Sequence, residues 1–556
     1  MTRHIHPFNG GIHPDEHKAE SNATPIVAMP LLPRYVVPMR QHIGTPARPV
    51  VQVGDRVLAG QIIGAAEGQV SVAVHAPTSG LVTAIEPRAA PHPSGLFDLA
   101  VVIDADGEDR PVNTQPGDWR QLDPAALRQR VRELGIAGLG GAVFPSHIKL
   151  NPGHAQQIHT LILNGAECEP WITCDDRLMR ERAVEVLQGA EIMRHLLNAQ
   201  RLIVGVEDNK PEAMAALRQA AEAHHIACEI ANVPTRYPSG GGKQLAYLLT
   251  GVEVPSGKLS SDVGMQVFNV GTAYSLFRAL TADEALTRRI VTVTGHVARP
   301  GNFEARIGTP LSALIAAAGG ALPGSSGEII GGPMMGFDLM DMAAPLTKAV
   351  NCIIIKSPAL FPPKPAALPC IRCGACARAC PVELQPFELY WYSRAKEFGK
   401  AQSYNLFDCI ECGCCSFVCP SHIPLVDYYR FAKAEIWERE REKNASDQAR
   451  ERHEFKTFRQ EREKQEKAEK FAKAAEANKT KASADGTAPP QGEDIEAAKK
   501  KAILEAAMAR AQRAREGVTP KNTENLPAAV EKDIAEIEAR RMQANVPPSE
   551  QSAPAP

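Results

Sequence analysis

The chain of 556 residues has no apolar run approaching the roughly eighteen residues that cross a bilayer. Its N-terminus, "MTRHIHPFNGGIHP", also lacks the apolar stretch of a secretory signal. A cytoplasmic location is therefore expected, with any membrane attachment made through a protein partner. Net charge is nearly absent too: 62 Lys and Arg face 64 Asp and Glu, a formal charge of −2. That balance supplies no bulk attraction to nucleic acid or anionic lipid, and no nucleic-acid partner is expected. Nor are the 13 cysteines scattered in pairs; eight fall in two short stretches. Such clustering argues against a disulfide framework and for thiolate ligands in a reducing compartment. What remains is an ordinary globular composition, 44% hydrophobic and 23% charged, in a chain too long for one hydrophobic core.

The two stretches are "CIRCGACARACP", 370–381, and "CIECGCCSFVCP", 409–420. Both read CxxCxxCxxxCP, the spacing of bacterial [4Fe–4S] ferredoxins, in which the fourth cysteine ligates the other cluster. The spacing predicts two clusters with crossed ligation. Cys370, Cys373, Cys376 and Cys419 would hold one, and Cys409, Cys412, Cys415 and Cys380 the other. Gly374 and Gly413 would let backbone amides approach the cluster sulfurs. Zinc sites lack this fourfold run followed by proline. Cys414 is off register and reads as a packed small residue, and Cys228 and Cys352 read as core cysteines.

Along the chain, residues 1–30 read as an irregular lead-in rich in His, Pro and Gly. Residues 31–110 carry short β-type runs punctuated by glycine, and "VGDRVLAGQIIG…VHAPTSGLV" resembles the biotinyl and lipoyl barrel-sandwich domains. No lysine stands at the expected hairpin tip, so "EGQVSV" reads as structure and not as a carrier arm. Residues 120–285 alternate helical and strand patterns, predicting an α/β layer with a largely parallel sheet. Residues 288–350 read as strand, turn, strand, then a helix capped at Thr309 with Pro310 first. This segment resembles the SLBB module, a small β-grasp fold. The cluster region spans 365–430. From 431 to 556 the chain reads as a charged, solvated helix with i to i+4 pairs, followed by disordered "ADGTAPPQGED" and "NVPPSEQSAPAP". Between those two lies "IEAAKKKAILEAAMARAQRAREG", read equally as a docking helix or a spacer. The expected class is multidomain α/β plus small β modules.

Clusters pass single electrons, so a two-electron donor requires a flavin or similar converter. Two glycine-rich stretches in the α/β region are candidates. "GIAGLGGAVFPSHIKL" offers Gly138, Gly140 and Gly141 for close backbone approach and Lys149 as a cation for a phosphate. "RYPSGGGKQLAYLLTG" places Gly240, Gly241 and Gly242 before Lys243 and a helix.

"GLGGAVFPSHIK", "NGAECEPWITCDDRLM", "SGGGKQLAYLLTG", "VFNVGTAYSLFRAL", the SLBB-like segment and the clusters resemble, in order, the flavin-bearing, NADH-oxidising subunit of respiratory complex I. The resemblance extends to the C subunits of Rnf electron transport complexes, from the β module through both cysteine runs. It implies that Gly138, Gly140, Gly141 and Lys149 line an FMN ring and phosphate. Asn164, Glu167 and Glu169 would bound the flavin and nicotinamide pocket, with the two glutamates catalytic, and Asn269 and Thr272 would contact the phosphate side. Complex I relatives carry an acidic "CGEE" where this chain has "SGGGKQ". The implied activity is transfer of electrons between NADH and ferredoxin-type carriers through FMN and two [4Fe–4S] clusters. The protein would sit at the cytoplasmic face of the bacterial inner membrane, held by the other, membrane-embedded and ferredoxin-like, members of an ion-translocating complex. Two alternatives stay open: a soluble flavin and iron–sulfur reductase of the cobalamin reductase type, and a non-catalytic iron–sulfur relay.

Overall fold

The computed structural model describes residues 4–114, 117–153, 156–484 and 505. It divides into two compact units, 1–445 and 446–556.

At the centre of the first unit is a four-stranded, all-parallel sheet in the spatial order Glu229–Val233, Arg201–Glu207, Thr160–Gly165, Met265–Asn269. Alternation of side chains along each strand explains why both faces are covered. Leu161, Leu163, Val204 and Phe268 enter a core with the helices Ala183–Leu197 and Val270–Ala282. Ile162, Ile203, Val233 and Met265 point the other way, into a core with Leu245, Leu248 and Leu249 of the helix Gly242–Thr250. The sequence pattern places the first three strands; Met265–Asn269 is a fourth whose five residues carry only a weak alternation. The helix Pro124–Glu133 starts as a proline-initiated helix should, with Asp123 accepting from the amides of Ala125 at 2.8 Å and Ala126 at 3.1 Å. Such a cap contributes about 1 kcal/mol.

The barrel-sandwich region pairs a four-stranded antiparallel sheet, built on Arg34–Pro38, Gly80–Ala89 and Phe97–Ala105, with a smaller three-stranded one. The SLBB-like region is a six-stranded sheet in which Arg288–Gly295 pairs antiparallel with Gly301–Arg306 and parallel with Cys352–Lys356. These two regions share one core: Tyr35, Val37, Ile63 and Ile103 pack with Val291, Val293, Phe303 and Ile353. The helix after the hairpin begins at Leu311, and Pro310 takes the cap position without a side-chain cap, one residue later than the Thr309 reading.

The N-terminal lead-in is mostly irregular, yet it knits the unit together. Val27–Ala28 adds an edge strand to the six-stranded sheet beside Gly301–Arg306. Ala19–Asn22 forms one helical turn. Gly11 donates its amide to Ala379 in the first cysteine run, while Ile12 exchanges backbone bonds with Tyr237 of the α/β layer. Gly10 and Gly11 have positive φ, and a Cβ on either would press into a backbone carbonyl, that of Cys380 or of Tyr237, so only glycine fits.

The helix Leu425–Ala484 begins in the first unit. Over 446–477 its residues are mainly polar and exposed, with Phe455, Phe458 and Phe471 exposed among them, and with i to i+4 pairs such as Arg459–Glu463 at 3.0 Å. The stretches "ADGTAPPQGED" and "NVPPSEQSAPAP" and, save Glu505, the candidate docking helix lie outside the described residues. No helix among the described residues is long and apolar enough to cross a membrane.

Candidate functional site

The strand order places its reversal between Thr160–Gly165 and Met265–Asn269, and doubly wound sheets bind ligands at the carboxyl end of such a switch point. Asn164 and Asn269 face each other there as register partners. Asn269 caps the helix Val270–Ala282 through the amide of Gly271 at 2.8 Å. The first glycine loop lies directly over it: the amide of Leu139 donates to Thr272 Oγ1 at 2.9 Å, and a Cβ on Gly140 would meet the Asn269 side chain at 3.1 Å. The second glycine loop closes from the other side, with Asn164 Nδ2 donating to the Gly240 carbonyl at 2.9 Å. Both loops thus converge on one edge. Gly141, at φ +104°, and Gly242 have nothing within 4 Å of where a Cβ would stand. The helix Gly242–Thr250 also starts without a side-chain cap. Open backbone beside free helix amides suits a flat ring and a phosphate.

The acidic residues have other partners. Glu167, at φ +49°, accepts from the amides of Asp175 at 2.6 Å and Asp176 at 3.1 Å, so it caps the helix Cys174–Glu181. Burial nevertheless pushes its carboxyl up to about 8, with Lys18 opposing. Asp175 in turn accepts from Asn269 Nδ2 at 2.6 Å, and burial raises it as well. Glu169 accepts from the amides of Met334 at 2.7 Å and Met335 at 3.2 Å, anchoring a loop of the SLBB-like region. Lys149 is half-buried on the turn Ser146–Lys149; its ammonium donates to the Val267 carbonyl and lies 4.4 Å from the Phe268 ring centroid. Burial lowers it to about 8. Its partner Val267 lies two residues before Asn269 on the strand Met265–Asn269. Lys243 reaches the Pro255 carbonyl at 3.2 Å and is solvent-facing.

The two cysteine runs fold alike. Arg372, Gly374 and Glu383 of the first have positive φ, as do Glu411, Gly413 and His422 at the same offsets in the second. Each glycine precedes a short helix, Ala375–Ala379 or Cys414–Phe417. Cys380 of the first run lines one small cavity together with Cys409, Cys412 and Cys415 of the second. Burial raises the Cys376 thiol, and the nearby Cys373, Cys370 and Cys419 sulfurs raise it further. All 13 cysteines are free thiols, as ligation requires. Cys414 is fully buried among Ile12, Tyr237 and Ala379.

Several residues escape the sequence reading. Lys18, from the lead-in, is buried and donates to the carbonyls of Glu167 at 2.8 Å, Glu169 at 3.0 Å and Ile172 at 2.7 Å, fixing the strained turn that carries both glutamates. Tyr237, buried beside the second glycine loop, donates its hydroxyl to the Cys412 carbonyl at 2.7 Å. Neither belongs to a motif; the tyrosine's position just before "PSGGGK" was the only signal.

The family model described as the Nuo51 FMN-binding domain matches residues 131–278, and that of the RnfC barrel sandwich hybrid domain residues 6–108. The SLBB domain matches 290–338 and the 4Fe-4S dicluster domain 369–423. The C subunit of the ion-translocating oxidoreductase complex of Citrobacter koseri is 47% identical over 407 residues, 73% of this chain and 57% of that protein. The chain is a homologue of these C subunits. The corresponding protein of Salmonella gallinarum is 47% identical over 73% of this chain and 60% of its own length. The chain thus spans about three fifths of the length of the curated relatives it matches. An NAD+-reducing [NiFe]-hydrogenase in the air-oxidised state aligns over 50% of this chain and 54% of that one, at 22% identity and a TM-score of 0.40. In this C-subunit homologue the FMN-binding match covers the first glycine loop, Asn164, the second loop and Asn269, and the dicluster match covers all eight cysteines of the runs.

Proposed function

We propose that this chain is the electron-input subunit of a membrane-bound, ion-translocating electron transport complex, working between NADH and ferredoxin-type carriers. FMN would exchange a hydride with NADH and single electrons with the clusters, which is the conversion a two-electron donor needs. Of the loop glycines Gly138, Gly140 and Gly141, the last leaves open backbone for the ring, and Gly242, last of Gly240–Gly242, with the uncapped helix it begins suits the phosphate. Asn164 and Asn269 tie these loops to the sheet. Glu167, held by Lys18 and by the amides of Asp175 and Asp176, stands at the same edge with a proton retained near neutral pH. Cys380, Cys409, Cys412 and Cys415 would hold one cluster, and Cys370, Cys373, Cys376 and Cys419 the other. Peripheral attachment at the cytoplasmic face, through partner subunits, belongs to the same proposal.

The observation that carries this reading is the bond from Tyr237 to the Cys412 carbonyl. It joins the second glycine loop to the cysteine loop of the second run, which gives the proposed flavin region a bonded contact with the proposed cluster. The relay alternative draws on Lys149, whose ammonium is spent on Val267 and not on an open phosphate site. Anaerobic titration of the purified chain with NADH separates the two readings. Flavin bleaching together with reduced-cluster EPR signals is expected; clusters that respond to dithionite alone, in a protein without flavin, would establish the relay. In the same assay Lys149→Ala decides that residue's role: lower flavin occupancy at unchanged cluster content would assign it to the flavin, and unchanged occupancy would leave it an anchor of the Val267 carbonyl.

A further inference from the structure

The SLBB-like region sends one loop onto the cysteine runs. Its strands Gly327–Ile330 and Phe337–Asp338 pair antiparallel, and "GGPMMG", 331–336, connects them. The connection is longer than a tight hairpin needs, and it closes on itself where the Gly336 amide donates to the Gly332 carbonyl at 2.8 Å. Its middle residues are thereby pushed out of the sheet.

That projecting segment is held from one side and pressed onto a partner on the other. Glu169 Oε1, from the nucleotide loop, accepts from the amides of Met334 at 2.7 Å and Met335 at 3.2 Å. The approach is so close that a Cβ on Gly332 would collide with the Glu169 side chain. On the far side Met334 lies over Gly413 of the second cysteine run, where a Cβ would stand 2.8 Å from the Met334 carbonyl oxygen and 3.4 Å from its Cε. Gly413 lines the small cavity that Cys380, Cys409, Cys412 and Cys415 share. The Met334 side chain packs against the buried group of Ile12, Tyr237, Cys412 and Cys414, while Pro333 and Met335 face solvent. One face of the loop is therefore on the cysteines and the other in water. At the corresponding place in the first run, Gly374 meets only the end of the Arg378 side chain, and Cys373 is exposed.

We infer that the loop 331–336 is the cover of the second run's cluster, keeping water from its Gly413 side, and that Glu169 is the positioning residue that holds the cover down. The inference rests on the reading that Cys380, Cys409, Cys412 and Cys415 ligate one cluster. The task asks of Glu169 only an acceptor oxygen in the right place; neither proton transfer nor contact with the nicotinamide is needed. Water stabilises the reduced, more negative state of a cluster, so a covered cluster has a lower potential than the same cluster wetted. The SLBB-like region thus acquires a role in electron passage: it sets the potential of the inner cluster from outside the cysteine loops.

The test is an EPR-monitored redox titration of the purified full chain carrying both clusters, with the signals assigned through Cys380→Ala and Cys373→Ala. Met334→Ser, which wets the inner face of the loop, should shift the midpoint of the second-run cluster upward and speed its loss in air severalfold. The first-run cluster should keep its midpoint. Glu169→Ala releases both amides and should reproduce the upward shift, whereas Glu169→Gln retains an acceptor oxygen and should keep the original midpoint, a rescue that a catalytic carboxylate would not show. An unmoved midpoint in Met334→Ser, a shift shared equally by the two clusters, or a shifted midpoint in Glu169→Gln would each overturn the inference. Met334→Ser and Glu169→Gln keep the test decisive if Glu169→Ala does not fold. Absence of a second cluster signal from the unaltered protein would instead overturn the ligand reading, and the cover with it.

Discussion

The two cysteine runs are near copies in sequence and backbone, and unlike in surroundings. In the first, Cys373 is exposed, Cys370 and Cys376 are half-buried, and Ile371 beside them is 68% exposed. In the second, Cys412 and Cys415 are buried, as is Cys380, which the first run lends to their cavity. The positive-φ residue inside each CxxC shows the same contrast. Arg372 has no ion-pair partner among the described residues, whereas Glu411 accepts from Arg430 at 3.0 Å and Lys433 at 2.8 Å. Gly413 lies against the Met334 carbonyl, where a Cβ would come within 2.8 Å; Gly374 meets only the far end of the Arg378 side chain at 3.3 Å. The two runs fold into equivalent loops, and tertiary packing leaves one of them buried and the other at the surface. Cluster potential depends on burial and hydrogen bonding, so equal ligands need not give equal potentials.

Breaking the comparison begins with the crossed ligand. Cys380→Ala lies in the first run and should remove the cluster of the second, seen as loss of one EPR signal and about half of the iron. Loss confined to the exposed cluster would refute crossed ligation. Next, Gly413→Ala should destabilise the chain by about 2 kcal/mol or more, since it adds a backbone clash to the left-handed strain, while Gly374→Ala should cost only about 1 kcal/mol. Denaturant unfolding of the two variants side by side measures the difference. Glu411→Gln should cost about 1 kcal/mol by leaving Lys433 buried with a weaker partner, and Arg372→Gln close to nothing. Tyr237→Phe should cost a similar amount to Glu411→Gln, about 1 kcal/mol for a buried carbonyl left unpaired. It should still slow electron passage from flavin to the buried cluster severalfold in stopped-flow mixing with NADH, with both clusters retained.

The architecture was largely legible because its signals are local. Periodicity marked the strands Thr160–Gly165 and Arg201–Glu207, and spacing marked the cysteine runs. Glycine loops could be recognised as loops, but their convergence depends on strand order, which no local pattern encodes. The two glutamates illustrate the limit. Sequence assigns Glu167 and Glu169 one role from one motif, while the fold turns Glu167 onto a helix N-terminus and Glu169 onto the Met334 loop. Lys18 and Tyr237 were invisible because their importance comes from long-range contacts, across 149 and 175 residues of chain. The shared core of the β module and the SLBB-like sheet was hidden for the same reason: each region alone reads as a complete pattern.

The central claim is that the buried cluster stands between the nucleotide edge and the exposed cluster. Rapid-freeze EPR after mixing the anaerobic protein with NADH tests it most directly, once the two signals have been assigned with Cys380→Ala and Cys373→Ala. The account predicts that the signal lost in Cys380→Ala rises first and the signal lost in Cys373→Ala follows. The reverse order, or an exposed cluster that still reduces at the full rate in Cys380→Ala, would contradict it.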